Sequence, residues 1–319
     1  MAKSPSVLLV AVFALLCGLS GPRAFAQEIT PEKKGKGSLP HTMLDQAMAA
    51  GFVPHRAIYE VRLVKTQSGS QVLNIRGQML YEWQPVCDAW ISNHHFNILY
   101  EYVDSAPMKI VSDFSTYETF DGRNFSFLSQ RKRDGELFEE IRGQAEIPPG
   151  KEGNAGKATY ALPSPTDFAL PSNTLFPMGH ALGLLHSIRA GKTFYNTVSF
   201  EGSDMEGPVE VNSFIGKMVD PYAGVEKSPA IDPTLISSPA RRIRMAFFPL
   251  HPASDDSGEG PRKGGDDGTS EYESSIVFHE NGVMSEITLE YDDFTLTQKL
   301  LALEPLGDGC GQSPARLNE

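Results

Sequence analysis

The sequence predicts a mainly β protein: a single antiparallel meander of about 12 to 14 strands, with one main helix packed on or in it. Three observations carry that prediction. Apolar residues alternate in segment after segment; the turn dipeptides Ser68-Gly69, Asp121-Gly122, Asp134-Gly135 and Asn281-Gly282 separate those segments; and one stretch, 176–190, has helical spacing. A period of two puts alternate side chains on one face of a strand, and dipeptides that accept positive φ are what tight hairpins need.

The chain opens with Lys3, the apolar run SVLLVAVFALLCGL and then Ala24-Phe25-Ala26. This pattern reads as a secretory signal peptide over 1–26 with an A-x-A cleavage site. Its apolar run falls short of the roughly 20 residues that span a bilayer. Leu16 is too bulky to precede a lipid-bearing cysteine, so the mature protein is expected in the periplasm without a lipid. Residues 27–41 are polar and aperiodic and read as a flexible leader, followed by a short helix over 42–50 that Gly51 stops.

The strands follow. Residues 56–65 place Ala57, Tyr59, Val61 and Leu63 on one face, and 71–83 do the same with Leu73, Ile75, Met79 and Tyr81. Gln84-Pro85 ends that strand, because proline has no N–H for the ladder. Beyond Cys87, the even positions Trp90, Phe96, Ile98, Tyr100 and Tyr102 share a face. Trp83, Trp90, Phe96, Ile98 and Tyr100 form the candidate concave or core aromatic face. Further strands are expected at 108–118, 123–133, 136–142 and 157–162. A proline-bounded entry at 170–180 then leads into the helix, with Pro177 in its first turn and Gly191 at its stop. Phe176, Leu182, Leu185 and Ile188 form its apolar side, which either plugs the sheet's concavity or acts as a lid over it. Strands resume at 192–200, 209–219, 240–249, 271–280, 283–291 and 294–303. Residues 251–270, rich in Ser, Gly, Asp and Pro, read as a flexible loop inside one domain of 42–319, because the strand pattern continues on both sides.

The formal charge is −12, and it becomes −14 when Lys3 and Arg23 leave with the signal peptide. That acidity excludes nucleic acid and anionic membranes as natural partners, since both call for clustered cations. The basic runs 131–133 and 241–244 are expected on solvated strand faces. Cleavage leaves Cys87 and Cys310, a separation of 223 residues. In an oxidising compartment they should form a disulfide, for which loop entropy gives at most about 5 kcal/mol. Two free thiols or an exposed redox pair are the competing readings, although there is no C-x-x-C.

No motif for nucleophilic catalysis, phosphate binding, dinucleotide binding or zinc hydrolysis is present. Adjacent His94 and His95 point to opposite faces of a strand, as do Glu139-Glu140 and Asp292-Asp293. His180 and His186 lie six apart, outside the three- or four-residue spacing of helical metal ligands. Neither an enzyme nor a metal or other cofactor is expected.

Together, the A-F-A signal site, the strand Ala57-Ile-Tyr59-Glu-Val-Arg-Leu63, Trp83 through Cys87 to Trp90, the Leu170-Pro to Leu175-Phe-Pro-x-x-His180 entry and the terminal Gly307-Asp-Gly-Cys310 carry a resemblance. The chain resembles the EipB family of periplasmic cell-envelope-integrity proteins over nearly its whole mature length. The resemblance implies a curved sheet that spirals on itself as an open barrel, a disulfide between Cys87 and Cys310, and a role in resistance to envelope stress. It further implies a periplasmic tetratricopeptide-repeat protein as partner, and no enzymatic activity.

Three function classes compete. The first is a non-enzymatic protein that supports the envelope through protein contacts. The second is a carrier whose aromatic concave face shelters a lipid or lipoprotein acyl chain. The third is a hydrolase with dispersed residues. The cysteines give the first test: thiol labelling of the oxidised exported protein, denatured without reductant, should yield no adduct, and labelling of either cysteine would refute the bond. Cys87→Ser should cost a few kcal/mol, about the usual loss for a native disulfide, and leave the fold intact.

Overall fold

The computed structural model describes residues 51–149, 155–250, 270 and 272–307. The signal peptide, the leader, the expected helix at 42–50, nearly all of the 251–270 loop and Cys310 lie outside the described residues.

Fifteen strands form one sheet among these residues. The first half of the chain supplies β1 (His55–Thr66), β2 (Val72–Pro85), β3 (Ala89–Tyr102), β4 (Met108–Thr119), β5 (Asn124–Arg133), β6 (Glu136–Glu146), β7 (Gly156–Leu162) and β8 (Thr166–Leu170). The second half supplies β9 (Thr174–Leu175), β10 (Phe194–Ser199), β11 (Val209–Val219), β12 (Ala240–Pro249), β13 (Tyr272–His279), β14 (Met284–Glu290) and β15 (Phe294–Pro305). Helix α1 (Pro177–Arg189) follows β9, and the single turn α2 (Pro233–Ile236) precedes β12.

The spatial order is β8 to β1 in reverse, then β15 down to β9. Each half is a meander, and the halves meet where β1 pairs antiparallel with β15. All neighbours are antiparallel except β9 and β10. The two outer strands, β8 and β9, are joined by only Pro171, Ser172 and Asn173. So short a link reaches at most about 14 Å, and a sheet whose two edges lie that close must curl round on itself. The expected single, strongly curved sheet with one main helix is therefore the architecture observed.

The sequence reading differs from the structure at Leu73, at the shortest strands, at Phe176, and at Arg131, which was expected on a solvated face and is only 4% exposed because the inward-folded Ser203 and Glu139 hold it. Leu73 is 62% exposed rather than on the inner face, because the β2–β3 register shifts between Val72 and Asn74 and turns it outward. Val72 is buried in its place. The short strand β9 falls in the stretch read as the helix entry and β8 in one given no element, since two and five residues are too few to show alternation.

Helix α1 starts with Pro177, whose missing N–H costs nothing there, and ends in a Schellman motif. Gly191 has φ 69°, its N–H donates to the Ile188 carbonyl (3.0 Å), and the Lys192 N–H donates to Ser187 (3.0 Å). The helix touches both halves of the sheet. At its start, Glu118 of β4 accepts from the N–H groups of Met178 (2.7 Å) and Gly179 (2.8 Å). On its flank Gly183 lets it approach β10 so closely that a Cβ would lie 2.2 Å from the Tyr195 hydroxyl. Arg189 in its last turn pairs with Glu280 beyond β13 (3.6 Å). It therefore sits inside the curve, buried on almost every side.

Phe176, at the N-cap, offers no side-chain acceptor, so the remote Glu118 does the capping. Burial pushes the Glu118 carboxyl up to about 7, against the opposite pull of the two backbone donors. Glu118→Ala leaves two buried N–H groups without an acceptor and should cost about 1–3 kcal/mol. Urea unfolding would measure this; an unchanged midpoint would show that the helix start needs no partner.

Candidate functional site

The inner wall of the sheet is built by alternation. In β3 every even residue from Trp90 to Tyr100 is buried, and in β2 Ile75, Met79 and Trp83 are buried opposite them. The register pairs Met79 with Phe96 and Ile75 with Tyr100 across the β2–β3 ladder. Trp83 and Trp90 meet edge to face at 5.5 Å, and Trp90 meets Phe120 at 4.7 Å. His55 Nδ1 lies 3.0 Å from the Trp83 indole nitrogen and 2.8 Å from the Val53 carbonyl, so the imidazole ties the indole to the start of β1. Burial holds His55 and His94 neutral, with pKa values near 4.

Trp83, Trp90, Phe96, Ile98 and Tyr100 share one buried cluster with Leu182, Leu185 and Ile188 of α1. The helix and the aromatic wall thus belong to one continuous core. Phe176 goes elsewhere. It joins a second cluster of Phe114, Phe125, Phe127, Tyr160 and Phe200, stacked on Phe125 at 4.9 Å. The expected apolar side of the helix is therefore divided between two cores, because Phe176 precedes the first helical turn and points towards β5.

Beside the second cluster lies a feature that the sequence did not reveal. The link between β10 and β11 folds inward, so that Phe200, Glu201, Gly202, Ser203 and Asp204 are all buried. Gly202 has φ 68°, and a Cβ there would lie 2.5 Å from the Phe127 ring, so only glycine lets this segment pass. Arg131 of β5, 4% exposed, ties it down: its guanidinium pairs with Glu139 across the β5–β6 ladder and donates to the Ser203 carbonyl (3.0 Å). Asp204 accepts from the Glu206 N–H (2.8 Å) and from the Ser203 hydroxyl (3.3 Å). Glu201 is 5% exposed, and its Oε1 has no hydrogen-bond partner among the described residues.

Arg131 thus pairs with Glu139 and lies near Asp204, and Asp204 in turn neighbours Glu201, so two buried carboxyls accompany a cation already paired to a third. Such a site holds protons in place of charge. Burial, and then the Asp204 charge, push the Glu201 carboxyl well above the ordinary range; burial also raises Asp204. Glu201, Asp204 and Glu206 border a cavity of about 10 Å³ with Phe247 and Tyr272, room for about one water. Among the described residues no three His, Cys, Asp or Glu side chains are arranged to hold a metal ion. In the sequence, 200–208 has the composition of a surface turn; only Phe200 and the closely spaced Gly202 and Gly207 hinted at a buried path.

Cys87 lies exposed in the turn between β2 and β3, where the Val86 N–H donates to the Ala89 carbonyl (2.8 Å). His55 pairs with Trp83 on one side and Pro305 on the other. The strand that leads to Cys87 and the strand that leads out of the described chain therefore end at the same pole, about 10 Å apart by strand spacing.

A family model described as EipB-like matches residues 46–307. The cell envelope integrity protein EipB of Brucella abortus (strain 2308) is 28% identical over 262 residues, 81% of this chain and 86% of that protein. A crystal structure of a beta-barrel-like protein of domain of unknown function DUF1849 from Brucella abortus aligns with a TM-score of 0.67 at 24% identity. That alignment covers 80% of this chain and 99% of the other, a likeness of fold.

The buried carboxyl gives a pH prediction with a definite sign. Glu201 in the folded protein keeps a proton that the unfolded chain releases near 4.5, so its contribution is fully present below that pH and is lost as the pH rises. Glu201→Gln removes this dependence. Thermal melts should show the variant matching the wild type at acid pH and exceeding it increasingly towards neutral pH; parallel curves would mean that Glu201 is ionised in the fold.

Proposed function

The chain belongs to the EipB-like family, and from that premise we propose that it is a non-enzymatic protein of the cell envelope that supports envelope integrity through protein contacts. The name of the Brucella abortus relative supports the envelope role. One structural observation supports contacts over carriage: Leu182, Leu185 and Ile188 belong to the same buried cluster as the aromatic wall, which favours a packed core over an acyl-chain tunnel. Binding then falls to outer surfaces and strand edges. The periplasm is the proposed compartment, reached through cleavage after residue 26, and resistance to envelope stress is the proposed outcome. No helix among the described residues is long and apolar enough to cross a membrane. A periplasmic tetratricopeptide-repeat protein is the proposed partner. The proposed Cys87–Cys310 disulfide is supported by the shared pole of β2 and β15, since a bond there would clasp the tail to the sheet beside the β1–β15 seam.

A strain lacking the protein should become sensitive to a membrane-disrupting detergent and recover when the intact gene is restored; unchanged resistance would refute the envelope role. Native mass spectrometry of protein from the periplasm should show no retained lipid, and Leu185→Asp should unfold the protein by forcing a charge into the core. A retained acyl chain, or a folded Leu185→Asp variant that loses fatty-acid uptake, would instead support the carrier reading, with α1 as a lid.

A further inference from the structure

Among the described residues, the curl of the sheet leaves one stretch of backbone without a neighbouring strand. β9 is two residues long and pairs only with Val198 and Ser199, so Phe194 to Thr197 of β10 have β11 on one side and no strand on the other. The direction of their hydrogen bonds follows from the ladder. The Ile215 N–H donates to the Thr193 carbonyl (2.9 Å), which makes the odd residues of this segment the ones bonded to β11. Phe194 and Asn196 therefore turn their N–H and C=O groups to the open edge. Phe200, also even, bonds in that direction to the Leu175 carbonyl (2.9 Å).

The opposite edge is protected in a way that β10 is not. β8 is bracketed by Pro163, Pro165 and Pro171, which deter pairing, and Asp167 is held by Lys157 (2.8 Å). At β10 the edge is flanked by apolar surface instead. Phe194 faces Phe214 across the β10–β11 ladder with ring centroids 5.2 Å apart, and the two are 45% and 55% exposed. Met218, 62% exposed, lies further along β11. Folded proteins seldom leave an unpaired edge and exposed aromatic rings together unless something covers them.

Charge indicates what the cover is. In a chain of net charge −12, Lys192 and Lys217 lie at this edge and its hairpin, and neither forms an ion pair among the described residues. Of the neighbouring arginines, Arg244 is already paired with Glu273 and Arg241 donates to the Gly216 carbonyl, while Glu210 is bonded to the Asn196 side chain, so the two lysines are the cations left for a partner. We propose that the open edge of β10 takes up an extended, acidic segment of a partner protein as an added strand. Its backbone would bond to Phe194 and Asn196, an apolar side chain would rest on the Phe194–Phe214 pair, and its carboxylates would face Lys192 and Lys217. This rests on the reading that the protein works through protein contacts, and it names the surface and the chemistry of that contact.

The probe is an acetylated peptide of alternating valine and glutamate, with a lysine-for-glutamate version as control. The acidic peptide should bind, weaken with salt, and slow amide exchange at Phe194 and Asn196; the lysine version should bind about tenfold or more weakly. Phe194→Asp should abolish the binding with an unchanged melting temperature, since the side chain is exposed. Asn196→Pro, which removes an edge donor together with the side-chain bonds to Glu210 and Asn212, should weaken it about as much, with the melting temperature measured beside it. Equal binding of both peptides, unchanged exchange at those two amides, or self-association through β10 in place of peptide binding would overturn the proposal. The detergent assay separates it from the reading beneath it. A Phe194→Asp strain as resistant as the wild type, beside a sensitive deletion strain, refutes the edge alone; a resistant deletion strain refutes the envelope role.

Discussion

Pairing between the first strand and the last is the contact on which the rest of this fold depends. β1 and β15 are brought together from opposite ends of the described chain, and their ladder runs from His55↔Pro305 to Thr66↔Phe294. Without it, two meanders would each expose an additional long edge, and the inner faces that enclose α1 would be separate surfaces. Closing such a pair orders a long intervening chain before it is repaid, so the seam is the entropically costly contact of a sheet whose other pairs are neighbours in sequence. A covalent clasp beside it would relieve part of that cost by restricting the unfolded chain.

The interior enclosed in this way is not uniform. One part is aliphatic and aromatic and includes the helix; the other sets buried Arg131, Glu201 and Asp204 beside a cluster rich in phenylalanine. Burial acts in opposite directions on the two kinds of titrating group. It holds His55, His94 and His180 neutral, with pKa values near 4, contributing stability that is lost as the pH falls from the ordinary histidine value of 6.5 towards 4. It raises the carboxyls Glu118, Glu201 and Asp204, whose contribution fades as the pH rises. The protein is thus built with opposing penalties on either side of mildly acidic pH.

Most of the architecture was legible because it follows from side-chain period. Alternation found the long strands, glycine turns found their hairpins, and Pro177 with Gly191 bracketed the helix close to its true limits. Period carries no information about which strands adjoin across the sheet, so the β1–β15 seam could not be read from the residues. A bulge also defeats it, as at Leu73, and so do strands of only a few residues such as β9. The polar interior was hidden for a different reason: Glu201 and Asp204 have the composition of solvent-facing residues, and only the three-dimensional path of Gly202 past Phe127 takes them inside. Glu118 was likewise one charged residue among many on outward-looking strands until the helix start was found against it.

The short link through Pro171, Ser172 and Asn173 has one more consequence. Every neighbouring pair in the sheet except β1 with β15 is also a neighbour in sequence, and this link joins the two outermost strands without contributing a rung to any ladder. Read as a circle and cut at that link, the same strands run β9 to β15 and then β1 to β8, in the order in which they lie in space. Apart from the parallel β9–β10 pair and its helix, the spiral is therefore an up-and-down meander in circularly permuted form, with the ends of the described chain at the middle of the sheet and the middle of the chain at its rim. A permuted chain joined across the pole where β1 begins and β15 ends would make every strand contact a local one, while keeping each ladder and the enclosed helix unchanged.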